Sequence, residues 1–142
     1  MVLTCCARSG EDGSAERAER ILNNMETLHS LGQSNVVANS RCYSAVITAF
    51  ARSKSPDAVS KAFQLIDRME KNRNEGSPHG HPNAHCYNGV VHAIAKSRAN
   101  HKAEKCKDIL DRMVLARDLG HRDCSPTIIT YSTILNGKGV IV

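Results

Sequence analysis

One segment occurs twice in the chain: residues 42–69, CYSAVITAFARSKSPDAVSKAFQLIDRM, return as residues 86–113, CYNGVVHAIAKSRANHKAEKCKDILDRM. Tyr87 follows Tyr43 by 44 residues (87 − 43). Self-similarity at a fixed period of about 20–50 residues is typical of repeat proteins. We therefore expect an array of one repeated unit. Further positions at the same step are Met25, Met69 and Met113, and Tyr131 after Tyr87.

The 44-residue step divides the chain into four blocks. They are a partial repeat with a truncated first helix (1–39), two complete repeats (40–83 and 84–127), and a partial repeat with a tail (128–142). In the last block two glycines, Gly137 and Gly139, replace helix-forming positions, and each weakens a helix by about 1 kcal/mol. We expect a slice of a longer array, with a disordered tail as the alternative explanation of NGKGVIV.

Each complete block has the pattern of two helices. Apolar residues recur at i, i+3, i+4 and i+7 after Tyr43 and after Tyr87, which predicts one apolar face of a first helix. A second apolar pattern leads to each methionine. The expected fold is therefore all-α, an α-solenoid of antiparallel helix-turn-helix repeats. The predicted starts of the second helices are Ser55-Pro56 and Asn100, and their predicted stops are Gly32, Gly76 and Gly120.

Composition limits the partners. The formal net charge of +5 favours a polyanion as a binding partner. The hydrophobic content of 41% permits a buried core. No apolar run approaches the roughly 20 residues of a membrane helix, so no membrane partner is expected. Six cysteines are present, and Cys42 and Cys86 share one repeat position. They are interpreted as small buried residues of a protein in a reducing compartment.

Residues 126–135, PTIITYSTIL, closely resemble the opening of a pentatricopeptide repeat, Pro-Asp-Val-Val-Thr-Tyr-Asn-Thr-Leu-Ile. Residues 82–88, PNAHCYN, resemble it more loosely, and residues 62–69, AFQLIDRM, are similar to the family's second-helix pattern Ala-Leu-x-Leu-Phe-x-x-Met. The repeats here are longer than is usual in that family, and the extra residues fall in the turns, where insertions are tolerated. The resemblance indicates a long variant of the repeat in a partial array.

The resemblance implies a right-handed superhelix that binds single-stranded RNA at about one base per repeat. It implies no catalysis and no cofactor. It places the protein in organellar RNA metabolism, in a mitochondrion or chloroplast, with other proteins of that metabolism as further partners. A transit peptide would lie upstream, since the chain itself shows none. With only two complete repeats, we expect weak RNA binding and self-association through uncapped ends.

In that family, the residue after the tyrosine and the last residue of the repeat read a base. The implied pairs are Ser44 with Asn83, similar to an adenine-preferring combination, and Asn88 with Thr127, closer to pyrimidine-preferring ones; Asn39 and Ser132 are half-pairs. The residues two before the tyrosine, which stack on bases, are Arg41, His85 and Ile129. The residues nine after the tyrosine, which contact phosphates, are Arg8, Arg52 and Lys96.

Other interpretations stay open. The phosphate-contacting cations could be solvated helix ends, and the base-reading residues ordinary surface polar groups. A protein-binding scaffold of tetratricopeptide or HEAT type is the alternative function, although it would need apolar anchors on the concave face. A metal site could be built from His79, His81, His85, Cys86 and Cys124. Cations expected on a solvated convex face are Lys61, Lys102, Lys105, Lys107 and Arg112.

Overall fold

The computed structural model describes residues 13–33, 35–53, 56–97 and 101–136. These residues form α-helices and one short 3-10 helix, Arg122–Cys124, and no strand occurs among them, which confirms the all-α prediction for this part of the chain. The α-helices are α1 (Ser14–Ser30), α2 (Ser40–Arg52), α3 (Ala58–Asn74), α4 (Ala84–Lys96), α5 (Lys102–Asp118) and α6 (Ile128–Asn136).

The 44-residue step of the sequence is kept by the helices. Helices α1, α3 and α5 each have 17 residues and begin at residues 14, 58 and 102. Helices α2 and α4 each have 13 residues and begin at residues 40 and 84, and α6 begins at residue 128. Long and short helices therefore alternate in one register across the described residues.

The predicted glycine stops are confirmed. Gly32, Gly76 and Gly120 follow the long helices and have φ angles of 70°, 76° and 102°. Their N–H groups bond the carbonyl oxygens of His29, Arg73 and Arg117, and the next N–H in each case bonds a carbonyl one residue earlier. This pair of bonds is the Schellman motif, which needs a left-handed residue that glycine adopts without steric strain.

The predicted starts of the second helices need correction. Pro56 lies in a turn, and α3 begins at Ala58, where the Asp57 carbonyl accepts the first helical bond from Lys61 N–H at 2.9 Å. Proline has a φ angle that suits a turn as well as a helix start, so its presence did not fix the boundary. Ser55 and Asn100 lie outside the described residues, and the residue before α5 is His101, with a φ angle of 61°.

The core lies between successive short helices and the long helices that pack against them. Helix α2 contacts α1, α3 and α4, and α4 in turn contacts α3, α5 and α6. Gly89 on α4 permits a close approach, because a Cβ atom there would lie 2.8 Å from the Cγ2 atom of Ile47 on α2. Phe50, Ile66 and Ile109 are fully buried in this core.

The surface at the end of the array remains apolar among the described residues. Ile128 is 84% exposed and Leu135 is 73% exposed, whereas Ala84, one step before Ile128, packs against the core and Val91, one step before Leu135, lies in it. Single exposed apolar residues are common, but several together mark a contact surface. Ile128, Tyr131 and Leu135 recur at i, i+3 and i+7 and therefore form one exposed apolar face of α6, which we call the apolar patch. Among the described residues, none of the helices is both long and apolar enough for a membrane span.

The core assignment predicts the effect of Ile66→Ala. Ile66 has 0% exposure, so the truncation should lower the free energy of unfolding by about 2–5 kcal/mol. The matched control is Ile128→Ala at an exposed site, which should change it by less than about 0.5 kcal/mol. Urea unfolding followed by circular dichroism measures both values, and equal effects of the two variants would contradict this placement of the core.

Candidate nucleic-acid interface

Two of the three predicted phosphate-contacting residues stand at equivalent helix ends. Arg52 is the last residue of α2 and Lys96 is the last residue of α4, and both side chains are exposed. The third, Arg8, lies outside the described residues. Helices α2 and α4 are in contact, and the charges of Arg52 and Lys96 both act on His92 of α4, so the two cations lie at the same edge of the molecule.

His92 is close enough to both cations for their charges to act on its ring, and the sequence analysis did not single it out. Partial burial of its ring lowers the pKa of His92, and the positive charges of Lys96 and Arg52 lower that pKa further. Both charges therefore act on one imidazole. The sequence contained a signal for it, since His92 precedes Lys96 by four residues and therefore lies on the same helix face.

The residues at the predicted stacking positions are accessible. Arg41 and His85 lie in the first turns of α2 and α4, and both are exposed. Ile129 holds the same position in α6 and is 65% exposed. Guanidinium and imidazole planes can stack on bases. An exposed side chain therefore recurs near the start of each short helix, and it is planar in α2 and α4 and aliphatic in α6.

The predicted base-reading pair Asn88 and Thr127 is brought together by the structure. The Nδ2 atom of Asn88 donates to the Oγ1 atom of Thr127 at 3.4 Å. The hydroxyl of Thr130, which is fully buried, donates to the Oδ1 atom of Asn88. Both ends of the Asn88 amide thus have partners within the protein, and a base would have to compete with them.

The other base-reading candidates have different surroundings. Ser44 is buried, with 7% exposure. Asn83 and Asn39 are the N-caps of α4 and α2, and their Oδ1 atoms accept from Cys86 N–H at 3.1 Å and Cys42 N–H at 3.2 Å. Such caps are worth about 1 kcal/mol each, so these asparagines have a structural role. Ser132 is exposed on α6.

The structure contains a repeated polar cluster that the sequence analysis missed. Tyr87 on α4 donates its hydroxyl to Glu70 on α3 at 2.8 Å, and Arg112 on α5 lies 3.5 Å from the same carboxylate. One step earlier, Tyr43 and Arg68 both contact Glu26. We call each set a Tyr–Glu–Arg cluster. Glu26 and Glu70, like Arg68 and Arg112, recur at the 44-residue step, which was the available signal.

These contacts correct the expectation of a solvated convex face. Arg112 also binds Asp67 at 2.6 Å and Asp108 at 3.2 Å, so it ties α5 to α3. Lys61 pairs with Glu19 at 3.1 Å, which ties α3 to α1. The pairs of Arg112 with Asp67 and of Lys61 with Glu19 could not be found by reading one helix at a time, because each joins residues about one repeat apart. The ammonium of Lys102 donates to the Ala95 carbonyl at 3.3 Å. Lys105 is half-buried. Lys107 pairs with Asp111 at 2.9 Å on an exposed surface.

The described cysteines are free thiols in the core, which agrees with their interpretation as small buried residues. They are Cys42, Cys86, Cys106 and Cys124. Burial raises the pKa of Cys86 to about 11, which keeps this thiol protonated and unreactive at neutral pH. In the described part of the chain, no group of three or more His, Cys, Asp or Glu side chains is arranged to hold a metal ion.

Comparison of the chain with protein-family models, with curated proteins and with solved structures finds no match. The interface is therefore defined by its own features. They are the exposed stacking positions at the start of the short helices and the cations at their ends.

The Tyr–Glu–Arg cluster predicts that Tyr87→Phe is destabilising. The buried Tyr87 hydroxyl bonds an ionised carboxylate, so its loss should lower the free energy of unfolding by about 1–3 kcal/mol. Tyr131→Phe is the matched control, because Tyr131 is half exposed and Val114 stands where Glu70 stands one step earlier. That control should change stability by less than about 0.5 kcal/mol in chemical denaturation. A loss of the same size at both tyrosines would contradict the cluster's role.

Proposed function

We propose that this chain is part of a pentatricopeptide-type α-solenoid with a right-handed superhelix that binds single-stranded RNA along its short helices. It would act in organellar RNA metabolism, in a mitochondrion or chloroplast, without catalysis of its own. The observation that supports this most is the placement of Arg52 and Lys96 at one edge by two adjacent, equivalent helices. Regularly spaced cations are what a phosphate backbone requires.

The stacking positions support the same proposal. Arg41 and His85 present planar groups at the start of the helices whose last residues are Arg52 and Lys96. One strand could therefore place its bases near the helix starts and its phosphates near the helix ends. Stacking tolerates any base, so it does not depend on Asn88 or Asn83 leaving their partners within the protein.

The expected affinity is low. Stacking contributes about 1–3 kcal/mol per base, so two complete repeats supply roughly 2–6 kcal/mol. Micromolar binding needs about 8 kcal/mol. We therefore expect a dissociation constant weaker than micromolar for this chain alone, and a longer array would add further stacked bases.

A protein-binding scaffold is the second candidate, and the apolar patch at the array end favours it. The patch consists of Ile128, Tyr131 and Leu135, which are exposed. It lies on α6, the last described helix, and not along α2 and α4, where the exposed positions considered above are cationic or aromatic. Such a patch fits contact with a further repeat or with a second copy of the chain better than it fits an extended peptide along the short helices.

RNA binding should depend on Arg52 and Lys96. In single-stranded RNA each phosphate contact contributes about 0.7 to the slope of log affinity against log salt. The double variant Arg52→Gln/Lys96→Gln should therefore reduce the slope by about 1.4, as measured by fluorescence anisotropy with a labelled oligonucleotide. The control Lys71→Gln/Lys107→Gln removes the same charge from exposed ion pairs on α3 and α5 and should leave the slope unchanged. Absent or salt-independent binding by the wild type would contradict the proposal.

Self-association should depend on the apolar patch. Ile128→Lys/Leu135→Lys places two like charges on it and should shift sedimentation toward monomer, because bringing charges out of water into an apolar contact is costly. The control Gln64→Lys adds a charge at an exposed site of α3 and should leave the sedimentation profile unchanged. A wild type that is monomeric at all concentrations would show that the patch is not a contact surface between copies.

A further inference from the structure

We propose that His92 is a protonation-linked phosphate contact: it takes up one proton when a backbone phosphate of single-stranded RNA binds beside Arg52 and Lys96. This inference rests on the proposed RNA binding and adds a regulation of the same site by pH. Its ligand is a phosphodiester, and no further cofactor is required.

The geometry of α4 places His92 at this site. His92 precedes Lys96 by four residues, so the two side chains lie on one face of the helix, one turn apart. The His92 side chain is exposed, as is that of Arg52 at the end of the adjacent α2. Lys102 of α5 brings another ammonium group to the same end of α4, where it donates to the Ala95 carbonyl at 3.3 Å.

Helix electrostatics account for only part of this arrangement. Carbonyl groups at a helix C-terminus attract cations, which explains a lysine or arginine in the last position or bonded to a final carbonyl. That attraction falls off within the last turn, and His92 lies one turn farther from the helix end than Lys96. The helix end therefore does not account for an imidazole beside these cations, whereas a shared anionic ligand would.

The charged surroundings of His92 fix the direction of the effect. Partial burial lowers the pKa of His92, and Lys96 from its own helix and Arg52 from α2 lower it further. Among the described residues, α3, α5 and α6, which also contact α4, contribute no charged group that shifts this pKa. The ring is thus mostly neutral at pH 7 in the free protein, because burial and the charges of Lys96 and Arg52 all disfavour the imidazolium.

A bound phosphate reverses this balance. Its negative charge offsets Arg52 and Lys96 and favours the imidazolium, so the pKa of His92 rises in the complex. One proton then passes from solvent to the ring, and a ring N–H can donate to a phosphate oxygen. Because the complex binds more protons than the free protein, affinity rises as pH falls through the range between the two pKa values. Each unit by which binding raises the pKa corresponds to a tenfold gain in affinity at low pH.

The test measures the affinity of the protein for a labelled oligouridine by fluorescence anisotropy. It is carried out at constant ionic strength, at about pH 8 and about pH 5.5. The wild type should bind several-fold more tightly at the lower pH, by up to about tenfold for each unit of pKa increase. His92→Gln should lose this dependence, whereas His92→Lys should bind with little pH dependence because its charge is fixed. The control His79→Gln changes an exposed histidine in the loop before α4 and should behave as the wild type.

A second measurement follows the His92 ring directly by NMR titration. Oligouridine should raise its pKa in the wild type, and inorganic phosphate serves as the separate probe for a free anion. RNA binding of equal strength at both pH values, or a dependence that persists in His92→Gln, would overturn this inference and leave RNA binding intact. Absence of RNA binding at both pH values would overturn both proposals. A pKa increase with inorganic phosphate alone would assign the site to a free anion and overturn the RNA linkage.

Discussion

The structure depends on the contact that each short helix makes across a block boundary. Tyr87 is fully buried, so its hydroxyl needs a partner, and Glu70 of the preceding long helix supplies it. Arg112 of the following long helix then holds the same carboxylate. One cluster therefore joins α3, α4 and α5, and its counterpart around Glu26 joins α1, α2 and α3. These two clusters fix the relative register of the described blocks. At Tyr131 the acid is replaced by Val114, and the tyrosine ring there is half exposed.

The sequence predicted those features that depend on a single residue type. The left-handed turn after each long helix needs glycine, so Gly32, Gly76 and Gly120 marked real helix ends. A proline suits more than one conformation, so Pro56 did not mark the start of α3. The pairing of Arg112 with Glu70 and the position of His92 beside Arg52 depend on which helices become neighbours. A single block of sequence does not show which helices become neighbours. For the pairing of Glu with Arg, the recurrence of both residues at the 44-residue step was the available signal.

The fold uses several of the residues that the resemblance assigns to base reading. Asn39 and Asn83 cap helices, and Asn88 is engaged with Thr127 and Thr130. A polar side chain in a cap has already lost part of its capacity to bond a ligand. The cations at the helix ends and the planar groups at the helix starts are exposed in contrast. The proposed interface is therefore better suited to hold a strand by its backbone and base faces than to distinguish one base from another.

The most direct test of this interface is photo-crosslinking of a 4-thiouridine-substituted single-stranded RNA, followed by mass spectrometry of the crosslinked peptides. Crosslinks should fall on peptides from α2 and α4, around Arg41 to Arg52 and His85 to Lys96, and excess unlabelled RNA should compete for them. Crosslinks confined to the surfaces of α3 and α5, or none above the level of a protein without RNA-binding activity, would contradict RNA binding along the short helices.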